Sequence, residues 1–458
     1  MIQVLAAGNK VWLRGPSKEV RDAETLIEPA MSFQPQGYEY SEKYKSGDWD
    51  GWVRLYRRYD HAFPRGFLSD VLELLELNGT DYKYTDETEP MVFPMPALPG
   101  ALQGITLRPY QDEAVAKTLA VRQGMVALPT GTGKTTIAAE IIRRLHTTTV
   151  IFVHKQELAT QWIEALSIMF NAHPKSFGLV GWGILDMKPI TIAMVQSSSK
   201  LPPEMFKNFG VTIFDECHHV SADTVYDLAE HSRSARLYGL SATPYRADGK
   251  DLMLKGALGG FTIKLDVSDM VTAGYLAHPT IYIAGVPPMT FPRRAKFADV
   301  YRQYIVDNGV RNKLITDIVK HWSSKGKSVY VHVKQIRHGE LLHQALPDSF
   351  WIHGKHKLGV RRAAIDNYAK NGGVMISTLL GEGVDIPSMD VLVLACGGVS
   401  EVFVRQLIGR VLRITAEKKE VAIIDFNDLA RHLAEHSETR QRIYNSERAF
   451  KVVRQNSV

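Results

Sequence analysis

The chain has 458 residues, enough for about three domains of ordinary size, and its 45% apolar and 23% charged content suffices to bury a substantial core. Wholesale disorder and collagen-like repeats are excluded, and two cysteines, Cys217 and Cys396, cannot make a disulfide framework. The net charge of +6 is uneven: −5 over residues 1–98, +2 over 99–268 and +9 beyond, so the basic C-terminal half suits either a polyanionic partner or a solvated surface. No apolar run approaches the roughly 18 residues of a membrane span, and MIQVLAAGNKVW lacks the basic and apolar regions of a secretory signal. A soluble, cytoplasmic protein is expected.

In chain order, WVRLY (Trp52–Tyr56) alternates like a strand, and Phe67–Leu77 has helical apolar spacing ended by Asn78-Gly79, so residues 1–98 read as a small α+β domain. Within it Trp49, Arg54, Arg57 and Arg58 lie among further aromatics, a mixture that can grip and stack nucleic acid. Alternation puts Trp52, Arg54 and Tyr56 on one side and Val53, Leu55 and Arg57 on the other, so some of these rings can equally belong to a core. Four prolines between Pro90 and Pro99 favour extended backbone and read as a linker that few packed contacts should cross.

Over residues 99–268 short apolar runs alternate with amphipathic helical segments: MVALP, TTIAAEIIRRLH, TVIFVH, ELATQWIEALSIMF, TIAMVQ, VTIFDE and LYGLSAT. That rhythm implies a parallel sheet with crossover helices. At its first strand-to-helix junction stands LPTGTGKTT. Here Pro129, Thr130, Gly131, Thr132 and Gly133 form a loop whose glycines let backbone N–H groups surround a phosphate. Lys134 can reach the β- and γ-phosphates, the Thr135 hydroxyl can ligate Mg²⁺, and Thr136 extends the helix start. Leu128 stands where the general phosphate-loop pattern has Gly. About 80 residues on, the strand in VTIFDECH delivers Asp215 and Glu216 to its C-terminal end, where ligands of such sheets gather. Asp215 can hold Mg²⁺ and Glu216 can orient the attacking water, the division of labour that phosphoryl transfer needs.

From about residue 269 the rhythm recurs in SVYVHV, FWIHG, VMIST, VLVLAC, EVFVRQLIGRVLR and VAIIDF, so a second parallel α/β domain spans 269–458 and ends in a helical, basic tail. In the helix EVFVRQLIGRVLR, Gln406, Arg410 and Arg413 share one face, while Val404, Leu407, Ile408 and Val411 cover another. Alone, such a helix would be a basic surface. Polar residues recur at strand ends in both domains: His154, Lys155, Gln161, Gln196 and Ser197 in the first; Lys334, His353, Gly354, Lys355 and Thr378 in the second. Phosphate contacts of this kind would ignore sequence.

LPTGTGKT, DECH, SATP (Ser241–Pro244) and QLIGRVLR together resemble motifs I, II, III and VI of superfamily 2 helicases, in family order, over about residues 104–430. The resemblance implies two tandem RecA-like domains behind the N-terminal one, with ATP and Mg²⁺ as cofactors, and its motif I tolerates Leu128. It also implies that Arg108, Tyr110 and Gln111 of LRPYQ recognise adenine, and that Gly383 and Asp385 lie near the nucleotide and Thr378 near the nucleic-acid backbone. Ser241 and Thr243 would couple the two ligands, and Arg410 and Arg413 would be arginine fingers beside Gln406. HKQELATQ resembles motif Ia and Gln196–Ser198 motif Ib. YRADG (Tyr245–Gly249) is similar to the branch containing XPB and the phage UvsW-type helicases, and WDGWVRLY to the latter's N-terminal region. The reading implied is an ATP-dependent DNA helicase or translocase acting on branched DNA, 3′ to 5′, in a bacterial or phage-infected cytoplasm. The motor motifs leave open an RNA helicase or an ATP-gated clamp that anneals without sustained unwinding.

Overall fold

The computed structural model describes the chain outside residues 89–92, 94, 219–220, 233, 243–249, 380–388, 399–400, 416–417 and 456–458 and the side chains of 358, 401–403, 406 and 455. The described residues form two compact units, Met1–Leu128 with Gly133–Lys264, and Leu265–Val458 with Pro129–Thr132. Among them no helix is long and apolar enough to cross a membrane.

The N-terminal part of the first unit is α+β. Its strands are β1 (Ile2–Ala7), β2 (Lys10–Arg14), β3 (Ser32–Phe33), β4 (Val53–Arg54), β5 (Ala62–Pro64) and β6 (Tyr82–Asp86). Four of them make a sheet in the order β5-β2-β1-β6, antiparallel except for the β1–β6 pair. Ile2, Val4 and Ala6 alternate inward on β1 with Val11 and Leu13 of β2, and the helix Leu68–Leu77 buries Val71 and Leu75 beside them. The strand expected at Trp52–Tyr56 shrinks to β4, because the period of two breaks: Leu55 and Tyr56 are adjacent yet both buried. Leu55 N–H donates to Met31 O at 3.0 Å. The Tyr56 hydroxyl donates to Glu24 Oε1 at 2.9 Å, pulling the ring inward.

Contrary to the expectation of a loosely attached domain, this sheet packs directly on the α/β part of the same unit. The Asn9 amide donates to Ala229 O at 2.6 Å and Ser232 O at 2.8 Å, at the C-terminus of the helix Ala222–His231. Glu230 of that helix receives Lys10 at 2.9 Å and Arg57 at 3.2 Å. Gly66 lies so close to the carbonyls of Lys255 and Gly256 that a side chain there would collide with both. Apolar residues of both parts, Phe63 and Phe67 with Leu254 and Ala257 among them, share one core. Two described residues in and beside the proline-rich segment are fastened: Phe93 N–H donates to Thr147 Oγ1 at 3.1 Å and Gly100 O accepts from Arg143 at 2.7 Å.

The α/β part of the first unit contains β7 (Gln123–Ala127), β8 (Thr149–Val153), β9 (Gly178–Gly181), β10 (Ile184–Asp186), β11 (Ile190–Met194), β12 (Val211–Phe214), β13 (Arg236–Ser241) and β14 (Phe261–Lys264). They form one sheet, β10-β9-β11-β8-β12-β13-β7-β14, parallel except for the β9–β10 hairpin. Every residue of β8 and β12 is buried, as strands covered by helices on both faces require.

The second unit repeats the plan with β15 (His278–Gly285), β16 (Val329–His332), β17 (Phe350–Ile352), β18 (Val374–Ser377), β19 (Val391–Leu394), β20 (Glu420–Asn427) and β21 (Lys451–Gln455). The order is β17-β18-β16-β19-β20-β15-β21, parallel throughout. The tail is therefore more than helical: after the helix Leu433–Ser446 it adds an edge strand to the sheet.

Candidate functional site

In the first unit the strand order arrays the chemistry along one sheet edge. Strands β11, β8, β12, β13 and β7 are consecutive neighbours, and their C-terminal ends carry Gln196–Ser197, His154–Lys155, Asp215–Glu216, Ser241 and the loop after Leu128. The registers Met194↔Val153, Phe214↔Phe152 and Ser241↔Ala127 align those ends. Lys134, which opens the helix after β7, thus lies at one side of the carboxylates and the expected backbone contacts at the other.

The loop has the geometry that its glycines allow. Gly131 and Gly133 take φ of 86° and 85°, a left-handed conformation that costs a side-chain-bearing residue steric strain. Gly133 caps the helix Lys134–Leu145, and a Cβ there would strike the amide of Gln111. Thr132 is buried and turns its hydroxyl onto Pro129 O at 2.7 Å. Lys134 extends back along the loop, its Nζ 3.1 Å from Leu128 O and 3.7 Å from Glu216 Oε1, as a cation that an arriving phosphate can recruit. Thr130, Thr135 and Thr136 are half-exposed. Gln111, buried on the helix Pro109–Leu119, accepts Arg108 N–H at 2.9 Å; Tyr110 is buried beside it and Arg108 exposed.

The carboxylate pair is held differently on its two sides. Asp215 is buried, its Oδ2 accepting Trp162 Nε1–H at 2.7 Å and its Oδ1 the Glu216 N–H at 3.0 Å. Burial first, then the charge of Glu216, pushes the Asp215 carboxyl up to about 6, against the opposing effects of Trp162 and Lys134. A cation arriving there would relieve that repulsion. Glu216 sits at φ 46°, strained for a residue with a side chain. Its Oε2 lies 3.3 Å from Ala242 N and 3.5 Å from His218 Nδ1, which is 2.9 Å from Ser241 Oγ. Two residues the sequence reading had not singled out emerge here. Trp162 orients Asp215, and His218 links Glu216 to Ser241; only the presence of His218 in DECH hinted at either.

These donors fit ATP with Mg²⁺. Among the described residues no group of three or more His, Cys, Asp or Glu could cage a metal. Mg²⁺ needs no such cage: one carboxylate such as Asp215, the Thr135 hydroxyl, phosphate oxygens and water make its usual hard, all-oxygen shell.

In the second unit β17, β18 and β16 are neighbours with Ile352, Ser377 and His332 in register, so His353, Thr378 and Lys334 follow from adjacent strand ends. Gly354, Lys355 and Lys334 are exposed, and His353 stacks against His356 with ring centroids 3.9 Å apart. Helix Glu401–Val411 buries Val404, Leu407, Ile408 and Val411 and leaves Arg410 half-exposed, with Arg413 just beyond it bridging to Leu276. Gln161 and Gln196 of the first unit are exposed. Thr243, Gly383, Asp385 and the side chain of Gln406 lie outside the described residues.

The N-terminal candidates already have partners. Arg54 reaches Asp50 at 2.6 Å, Arg57 reaches Asp60 at 2.8 Å as well as Glu230, and Arg58 is paired with Glu28. Trp49 donates its indole N–H to Trp52 O at 2.8 Å. Trp52 and Tyr59 remain exposed.

Residues 104–246 match the family described as Type III restriction enzyme, res subunit. The chain is 31% identical over 208 residues to a DNA 3′-5′ translocase XPB2 of Sulfurisphaera tokodaii, covering 43% of this chain and 47% of that protein. It is 23% identical over 438 residues to the ATP-dependent DNA helicase uvsW of Enterobacteria phage T4, covering 87% and 86%. The chain spans about half to two thirds of the length of several other curated relatives. Its fold resembles that of S. cerevisiae Dbp5 bound to RNA and ADP BeF3, with a TM-score of 0.55 at 14% identity over 76% of this chain and 90% of the other.

Proposed function

We propose that this chain, one of the superfamily 2 helicases with UvsW and XPB-like relatives, is an ATP-dependent DNA helicase or translocase that remodels forks and four-way junctions, moving 3′ to 5′. The observation that carries the reading is the single edge of the first unit's parallel sheet, where Lys134, the Asp215–Glu216 pair, Ser241 and the strand-end polar residues follow one another. Loop N–H groups and Lys134 bind the β- and γ-phosphates, and Arg108, Tyr110 and Gln111 hold the base. Thr135 and Asp215 would hold Mg²⁺, which supplies charge neutralisation on the phosphates. Glu216 orients the attacking water, and the path through His218 to Ser241 reports the nucleotide state to its neighbours.

Arg410 and Arg413, with Gln406, act on the transition-state charge once ATP is bound, and Gly383, Asp385 and Thr243 belong to the same machinery. His154, Lys155, Gln161, Gln196 and Ser197 in the first unit, and Lys334, His353, Gly354, Lys355 and Thr378 in the second, hold the backbone in alternation. A role in DNA binding for Arg54, Arg57 and Arg58 requires exchanging carboxylates for phosphates, and one for Trp49 requires giving up its bond to Trp52 O, so the track on the strand ends carries most of the affinity.

One ATPase assay tests this, with single-stranded, duplex, forked, four-way-junction and RNA substrates, on the wild type and Glu216→Gln. Strongest stimulation by junctions, lost in Glu216→Gln while ATP still binds, is the expected result. Stimulation by RNA alone would reassign the substrate, and undiminished turnover in Glu216→Gln would refute the chemistry.

A further inference from the structure

The tail beyond Arg431 has a structural position that suggests a task. Its helix Leu433–Ser446 is anchored from the middle by Arg440, which is 1% exposed. Arg440 Nε donates to Asp425 Oδ2 at 2.8 Å, and another of its nitrogens donates to Phe426 O at 3.1 Å and lies 3.6 Å from Asp428 Oδ2. Arg311, fully buried, donates to Asp428 Oδ1 at 3.0 Å and to Ala395 O at 2.8 Å. Asp425 also accepts the Tyr444 hydroxyl at 2.8 Å. Two guanidinium groups and two carboxylates therefore share a buried interior, a cluster that loses much hydration and tolerates little change of geometry. Ala395 belongs to the turn after β19, a few residues before the helix Glu401–Val411.

Just past the tail helix, Glu447 joins two elements. One carboxylate oxygen accepts Ser268 Oγ–H at 2.8 Å, and the other pairs with Arg405 of the helix Glu401–Val411. Arg448 adds an ion pair to Asp269 at 3.1 Å. At about 100° per residue, Arg405 lies roughly 140° around the helix from Arg410 and roughly 80° from the direction in which Arg413 would extend it. Glu447 therefore grips a flank between the apolar face and the arginine face, where a contact fixes the helix's rotation about its own axis without covering the arginines.

We propose that the C-terminal tail is a brace, and that Arg405 and Glu447 are positioning residues that set the rotation of the helix presenting Arg410 and Arg413. The proposal rests on the reading of those two arginines as transition-state contacts. Misaligned by a small rotation, they would still allow ATP to bind but would meet the reacting phosphate poorly.

The test uses the full chain with Arg405→Gln, Glu447→Gln and the reversed pair Arg405→Glu/Glu447→Arg, beside Arg410→Ala. The singles should lower DNA-stimulated kcat by about tenfold, with KM for ATP unchanged and the protein still fully folded at the assay temperature, and the reversed pair should recover most of the loss. Wild-type turnover in the singles, or a rate loss explained by unfolding at the assay temperature, overturns the brace. So does a reversed pair as slow as the singles. If Arg410→Ala also turns over normally, the arginine reading fails and the brace with it; if Arg410→Ala is inactive while the singles are not, only the brace fails.

Discussion

The two ends of the chain are fastened to their α/β units by different physics. The N-terminal domain uses a shared apolar core edged by half-exposed polar contacts: Lys10 and Arg57 on Glu230, and the Asn9 amide on Ala229 O and Ser232 O. The C-terminal tail buries Leu433, Ile443 and Tyr444 and adds buried charge: Arg440 and Arg311 against Asp425 and Asp428. An apolar seam gains free energy in proportion to the area removed from water and tolerates small shifts. A buried ion cluster gains little net energy but penalises every arrangement except one. The first attachment therefore holds mainly by area, the second by area and by geometry, and each should fail in its own way.

The largest effect is expected from removing residues 1–98. That deletion would bare the surface around Ala229, Gly256 and Ala257, which now faces Asn9, Phe63, Pro64 and Phe67, so the fragment 99–458 should aggregate or melt well below the full chain. Size-exclusion chromatography and calorimetry measure this directly. A monodisperse fragment with full ATPase on single strands would show that the seam contributes nothing and that the proline-rich segment is a free linker after all.

Next comes Arg440→Ala. It leaves Asp425 and Asp428 buried with too little positive charge, a loss of about 3–5 kcal/mol for breaking such a cluster from one side. Denaturant unfolding should show it as a lower midpoint with little change in slope. Arg440→Met would fill the volume but leave the carboxylates, so it should rescue little. A loss below about 1 kcal/mol, the range of exposed pairs, would mean that water reaches the cluster and that the contrast between the two ends is false.

How much of this was legible beforehand depended on whether the signal was local. The parallel sheets were, because runs such as VIFV and VTIF are apolar throughout, and only strands covered on both faces read that way. The loop from Pro129 to Thr136 and the pair Asp215–Glu216 were legible because chemistry ties residue type to spacing. Trp162 was not: its role exists only because the helix Gln156–Met169 returns its indole to the end of β12. Strand β21 was hidden in a basic tail, where KVVRQ has too few apolar residues to announce an edge strand. The seam at Asn9 and Gly66 was invisible because close packing between distant segments leaves no periodic trace, and the prolines nearby suggested separation instead.

Acid should separate the second unit from the N-terminal domain, with an effect of about the same size as Arg440→Ala. In the second unit burial pushes the His332 imidazole down to about 4, and burial together with the Arg311 charge pushes His338 down to about 3. Both stay neutral in the fold while the unfolded chain takes up protons near 6.5. Their contribution is therefore complete above that pH and is lost as pH falls from 6.5 towards 4, with a limiting slope of about 1.4 kcal/mol per pH unit for each. In the N-terminal domain burial raises the Asp86 carboxyl, but hydrogen bonds from Arg65 and Thr88 outweigh it and hold the group well below its usual range. That contribution persists above about 3.8 and is lost only below it. Hydrogen exchange at pH 5 against pH 7.5 should show protection falling first in the strands around β16. Equal loss in β1 and β2 would put the acid-sensitive groups elsewhere.

The smallest effect, and the sharpest for function, is expected from Arg57→Gln. Arg57 lies between Glu230 and Asp60 and is about a quarter exposed, with 28% of its side chain open to solvent. Water screens such pairs, so the substitution should cost no more than about 1 kcal/mol, far less than Arg440→Ala. It should also leave DNA affinity and its salt dependence unchanged, because the guanidinium already serves the seam. A phosphate contact behaves otherwise: its removal weakens binding to every sequence and lowers the slope of log affinity against log salt by about 1. Titration of a four-way junction at several salt concentrations, beside a melting curve, separates the two roles. A reduced salt slope with unchanged stability would return Arg57 to the nucleic-acid surface and leave Glu230 to Lys10 alone. A reduced melting temperature with an unchanged slope would keep it where the structure places it, as one polar edge of an attachment held mainly by apolar area.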